Sequence, residues 1–163
     1  MTNPGQFIMW LGLIAIGISS IGYAILYFNK NHKTAETWAR LSFIGFAASV
    51  TVSSILLMHA ILNHEFVYSY VIRYSSRDLP LIYLFSSFWA GQEGSFLLWV
   101  LLAAWLGILV MYTARDLEPQ VMLVYNLSNV FLMILLIKQS PFAMVPFAPA
   151  DGHGLNMLLQ DPW

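Results

Sequence analysis

Four apolar stretches, each near the length that crosses a bilayer, limit what this chain can fold into. Residues 7–28 contain no Asp, Glu, Lys, Arg or His, 41–62 contain only His59, and 96–114 and 121–137 contain none. Crossing the roughly 30 Å hydrocarbon layer as a helix takes about 20 apolar residues. In lipid only helices and closed barrels satisfy their own backbone, and nothing here alternates like a barrel strand. The expected fold is therefore all-α, a polytopic membrane bundle of about four transmembrane helices. Composition agrees: hydrophobic residues make up 59% and charged residues 9% of the 163, against about 25% charged in soluble domains. A net charge of −1 gives no reason to expect nucleic acid, and membrane lipid is the expected surroundings. The absence of cysteine excludes disulfides and thiolate metal ligands within the chain. The opening MTNPGQF has no basic region, and the run after it is too long for a signal-peptide core. It reads as an uncleaved span.

The chain reads as one unit, 1–163, with spans near 7–28, 41–62, 81–114 and 121–137 and longer loops at 63–80 and 138–163. Within the third span, Leu81 to Phe88 comes after Pro80 and either extends the helix outward or lies at the membrane surface. Lys30, Lys33, Arg40 and Arg115 fall in short connections, whereas Arg73, Arg77 and Lys138 are spread over longer segments. Density of positive charge puts the short connections in the cytoplasm. Both termini then lie outside, in a bacterium in the periplasm. Gly45, Ser49 and Ser53 make one face of the second helix small enough for close approach. Asn126 and Asn129 share a face of the fourth and are expected to hydrogen-bond to a neighbouring helix.

Chemistry concentrates in Trp89 to Trp99, WAGQEGSFLLW. A carboxylate beside a membrane span costs a few kcal/mol unless it is partnered or wet. Glu93, with Trp89, Gln92 and Ser95, therefore reads either as a polar site at the outer surface or as a helix start, where the dipole favours an acid. Arg77 and Asp78, in RYSSRDLP, form a second polar group. Arg77 could take a carboxylate such as a propionate, or it could simply contact Asp78. His32 reads as a solvated loop residue. His59 and His64 could each serve as an axial donor, but five residues apart they do not share a helical face. His153 sits in the turn DGHG as loop punctuation. Residues 139–163, broken by Pro and Gly, suit an amphipathic surface segment that re-enters the membrane.

The run EFVYSYVIRYSSRDLPLIYLFSSFWAGQEGSFLLW, Glu65 to Trp99, resembles the N-terminal part of the cytochrome c-type biogenesis protein CcmF family, a haem lyase component in the group that includes CcsA. DGHGLNMLLQDPW in the tail resembles a loop of that family of the form DG-x-GLNPLLQDP, with Met157 in place of its proline. The first two spans match by topology alone. The resemblance implies a bacterial inner-membrane protein that takes haem from a periplasmic haem chaperone and helps attach it to apocytochrome c. The family pattern continues into a His-Pro-Pro motif, whose histidine ligates haem, and into a Trp-rich periplasmic domain. Neither is present here, so enzymatic activity of this chain alone is left open. None of His32, His59, His64 or His153 matches a family haem ligand. Haem is implied by the family but is not expected to be held by this chain by itself.

The same resemblance implies a fragment or split subunit that works with the remaining C-terminal part of the lyase. Its expected role is to support haem delivery and attachment, with Trp89, Gln92, Glu93 and Ser95 supporting the site and Arg77 and Asp78 next to it. The alternative is a structural membrane anchor without haem contact.

Overall fold

The computed structural model describes residues 3–29 and 32–155. Six helices run through them: α1 (Pro4–Phe28), α2 (Lys33–Leu62), α3 (Ser69–Tyr74), α4 (Leu81–Ser86), α5 (Gln92–Thr113) and α6 (Glu118–Lys138). Short 3-10 turns occupy Ser87–Trp89 and Arg115–Leu117. Among the described residues there is no strand, only an antiparallel bridge between Tyr68 and Met144. Four helices are long and apolar enough to cross a membrane: Pro4–Phe28, Lys33–Leu62, Gln92–Thr113 and, counting its leading turn, Arg115–Lys138. The protein is an all-α, multi-pass membrane bundle.

The first two helices start on side-chain caps. Asn3 accepts the Gln6 N–H at 3.2 Å, and Pro4 occupies the first helical position, where its missing N–H costs nothing. His32 opens α2, its Nδ1 accepting the Ala35 N–H at 3.2 Å. His32 is exposed and non-helical, as expected of a solvated loop residue, and adds a capping role: an imidazole nitrogen stands where Asn or Ser would usually cap. Pro80 opens α4, which packs on α2. A 3-10 turn and Gly91, the N-cap of α5, separate α4 from the third crossing. Residues 81–88 are thus a unit of their own, not an outward turn of α5.

Packing between helices rests on shape, because lipid is as apolar as the core. Ile16, Tyr23, Phe43, Phe46, Leu97 and Met122 are buried at the centre. A Cβ at Gly12 would lie 2.5 Å from Ser49 Oγ, so α1 and α2 meet almost backbone to side chain. Ser53 is fully buried, but nothing lies within 4 Å of a Cβ at Gly45. The small face expected on α2 is therefore used at its serines and open at its glycine. Asn126 donates to Ser19 Oγ at 2.8 Å, and Ser19 donates to Ala39 O at 2.8 Å, which links α6, α1 and α2. Asn129 instead donates to Tyr125 O of its own helix at 2.9 Å. The expected cross-helix bond holds for Asn126, whereas the Asn129 amide turns back to its own helix.

At the end of the bundle where α1 and α5 begin, α3, α4 and residues 139–155 form a layer across the helix ends. Ser69 N donates to Ala143 O at 2.8 Å and Val145 N to Val67 O at 3.0 Å. The Asn3 side-chain amide donates to Phe142 O. This layer carries the residues of interest.

Candidate functional site at the head of the third crossing

Tyr70 organises the layer. Its single O–H faces the carbonyls of Ser87 and Phe88, each at 2.9 Å, while its oxygen accepts the Gly91 N–H at 3.2 Å. Burial raises the phenol above the usual tyrosine range, keeping it neutral. Ser87 Oγ, also fully buried, lies 2.7 Å from Tyr74 O and 2.8 Å from Tyr83 O. A Cβ at Gly94 would overlap both Phe88 O and Tyr70 Oη. Much of the glycine-flanked motif is therefore explained by packing around one tyrosine.

Glu93 lies in the first turn of α5 and is 8% exposed. Its Oε1 receives Arg73 Nη2 at 2.5 Å. Glu93 sits at the positive end of the helix, where the helix-start reading puts it, and an arginine from α3 neutralises it. Nothing in the sequence singles out Arg73, since a partner twenty positions away on another helix leaves no local signal. Ser95 does not cap α5; it donates to Trp89 O at 2.8 Å, bracing the preceding turn. Trp89 and Gln92 are exposed.

Arg77 and Asp78 are exposed and, among the described residues, form no ion pair with each other. The Arg77 guanidinium lies 6.0 Å from the centre of the Phe66 ring. Its backbone N–H is taken by Asp151 Oδ1 at 3.0 Å, and the same oxygen accepts from Gly152 N at 2.8 Å. These two N–H groups hold the Asp151 carboxyl below the ordinary carboxylate range. His153 N donates to Ile72 O at 2.7 Å and Gly154 N to Ser75 O at 3.1 Å. The DGHG turn is therefore not loose punctuation, because its backbone docks on the end of α3. The rest of the tail pattern, residues 156–163 with Met157, lies outside the described residues.

The histidines do not converge. His59 is 65% exposed at its side chain and lies 3.4 Å from Glu65, and His64 Nδ1 lies 3.4 Å from Ser75 Oγ. Among the described residues no three His, Cys, Asp or Glu side chains are grouped to hold a metal. His59 and His64 have separate neighbours, Glu65 and Ser75, and are not brought together as a joint pair of haem donors. Trp89 and Gln92 are exposed at the head of α5, and Arg77 and Asp78 in the loop after α3, on a layer held together by the bonds of Tyr70 and Ser87 and by the Arg73–Glu93 pair.

The opposite end carries a second polar cluster, of which only the Glu36–Arg40 spacing of four is a local pattern in the sequence. Arg40 donates to both oxygens of Glu118, at 2.8 and 2.5 Å, and to Glu36 at 2.8 Å. Tyr23 donates to Glu118 Oε1 at 2.9 Å. The available signal is position: Arg40 and Glu118 each stand at the head of an uncharged run.

No protein-family model matches the chain. It is 39% identical over 131 residues to the cytochrome c-type biogenesis protein CcmF of Pseudomonas fluorescens, a match covering 76% of this chain and 19% of that protein. It is 34% identical over 120 residues to CcmF of Escherichia coli strain K12, covering 70% and 18%. With the cytochrome c-type biogenesis protein NrfE of Haemophilus influenzae it shares 31% over 139 residues, covering 82% and 22%. The chain spans about a fifth of the length of these relatives. Its fold is also that of part of a solved structure, cytochrome c heme lyase CcmF, with a TM-score of 0.77 at 24% identity, over 87% of this chain and 25% of that one. With sequence relatives and fold in agreement, the chain belongs to the cytochrome c-type biogenesis protein CcmF family and corresponds to its N-terminal part.

Proposed function

We propose that this chain is a membrane component of cytochrome c maturation that supports haem delivery and attachment to apocytochrome c. The names of its relatives and of the solved haem lyase support this reading. In it, haem is cargo, handled jointly with the remaining C-terminal part of the lyase, a periplasmic haem chaperone and apocytochrome c. The working face is the layer over α5, turned to the periplasm of a bacterial inner membrane, with both termini on that side.

One observation carries the proposal. The pair between half-exposed Arg73 and buried Glu93 fastens α3 to the head of the third crossing, and the exposed Trp89, Gln92, Arg77 and Asp78 stand on or beside the elements it joins. Arg77 is suited to a haem propionate or to an acidic group of the chaperone. The test is co-expression with the C-terminal part of the lyase, measuring covalent haem on a reporter cytochrome together with the amount of this chain in the membrane. Trp89→Ala and Arg77→Ala should lower covalent haem several-fold at unchanged chain level. If both, and Asp78→Ala, mature the reporter fully, the working face is lost. The structural-anchor reading would then stand. It has its own support, since the acid of Glu93 is already taken by Arg73 and the imidazoles of His59 and His64 lie beside Glu65 and Ser75.

A further inference from the structure

The flank of α2 away from the haem-facing layer carries a feature that cytochrome c maturation does not explain. A cavity of about 350 Å³ at the helix ends is lined by charges of both signs: Arg40 and Arg115 against Glu36, Asp116 and Glu118. A groove of about 440 Å³ shares Glu36 and Arg40 with it and runs down α2 past Leu41 to Ile44. A third space of about 290 Å³ begins at Ile44 and continues through Ala48 to Val52, walled by Trp105 and Ile108 of α5. Residues 40, 44, 48 and 52 step by four, so the three spaces follow one ridge of α2 that winds about 120° around the helix between its ends. The ridge is polar at its head and apolar below. From Arg40 to Val52 it covers about 18 Å at 1.5 Å per residue, close to the roughly 15 Å of one leaflet's hydrocarbon.

We propose that this track holds one ethanolamine phospholipid, its headgroup in the mixed-charge cavity and one acyl chain along α2. Arg40 is already engaged by Glu36 and Glu118. Arg115 is exposed at the cavity, with a backbone φ of 49°, and has no ion pair or side-chain hydrogen bond among the described residues. It is the unpaired cation of the cavity itself, with Lys33 lining the adjoining groove. Asp116, exposed and without an ion pair among the described residues, is the acid available to an ammonium two carbons from the phosphate, Glu36 being held by Arg40. The cavity's three carboxylates outnumber its two arginines by one, so charge complementarity favours a headgroup that also carries a positive charge.

The test is native mass spectrometry of the full chain in detergent, offered a 16-carbon phosphatidylethanolamine, the matching phosphatidylglycerol, or inorganic phosphate. One ethanolamine lipid should be retained, about fivefold over the glycerol lipid, a modest free-energy preference. Arg115→Gln, at an exposed and unpaired position, should abolish the preference. Ala48→Trp, which fills the groove far from the headgroup, should lower retention of both lipids. Equal retention of the two headgroups, an unchanged preference in Arg115→Gln, or capture of inorganic phosphate in place of lipid would each overturn the proposal. Circular dichroism checks that both variants are folded, and the headgroup comparison on the unaltered chain decides the matter even if one is not.

Discussion

The guanidinium of Arg73 meets the carboxylate of Glu93 at 2.5 Å, one side chain nearly half-exposed and the other almost wholly buried. That asymmetry decides what each substitution does. Arg73→Ala strands a charge that has little water, at a cost of about 2–3 kcal/mol. Glu93→Gln leaves an arginine that can turn into solvent, at about 1 kcal/mol or less. Thermal unfolding in detergent should therefore rank Arg73→Ala as the more damaging, with the double variant close to Glu93→Gln alone. Equal losses, or a simple sum in the double variant, would mean that the pair does not fasten the layer.

Gly94→Ala tests whether the motif around Glu93 is a packing device. The added methyl would overlap Phe88 O, a backbone atom held by Tyr70. No rotamer change relieves that overlap, so either α5 shifts or the Tyr70 bonds break. A loss of about 3 kcal/mol or more is expected, seen as a chain that fails to accumulate in the membrane. Normal accumulation with an unchanged melting curve would show that the head of α5 is looser than its geometry implies.

Acid should loosen the DGHG turn. Asp151 has its carboxyl lowered by the N–H groups of Arg77 and Gly152. A group depressed in the folded state contributes stability above its unfolded value, about 3.9. That contribution is lost as pH falls through the folded value. Exchange of the Arg77 and Gly152 amides should be slow near neutrality and, after correction for intrinsic rates, lose protection only once the pH has dropped beneath the ordinary carboxylate range. Asp151→Asn should remove most of this pH dependence, and a variant profile that still tracks the unaltered chain would place the effect elsewhere.

The crossings were legible because run length alone decides them, and their ends were not, because backbone hydrogen bonding ignores polarity. α2 begins at Lys33 rather than at 41, carrying two polar turns above its apolar stretch, and α5 begins at Gln92 rather than at 96. Trp89 to Trp99 stands out as a cluster of odd residues, yet its organising atom, the Tyr70 hydroxyl, lies outside it. The link between Arg77 and Asp151 spans 74 positions. Such contacts exist only once the layer has folded, so no periodicity foretells them. The same is true of Arg40 and Glu118, each legible as a charge at a helix head and neither legible as the other's partner.

The side of the membrane on which the layer lies can be read directly, because the chain contains no cysteine. Gln92 is exposed at the end carrying α3 and α4, and Lys33 is exposed at the other. In the sequence, Lys30, Lys33, Arg40 and Arg115 fall in the two short connections, against Arg73, Arg77 and Lys138 in the longer ones. The excess is small, but it is concentrated in short connections, where positive charge is counted most strongly. In intact spheroplasts a membrane-impermeant maleimide should therefore label Gln92→Cys at once and Lys33→Cys only after the membrane is opened. The reversed pattern would put the Trp89 and Arg77 face in the cytoplasm, out of reach of apocytochrome c in the periplasm. The proposed role in haem attachment would fall with it, while the lipid track along α2 would survive in the other leaflet.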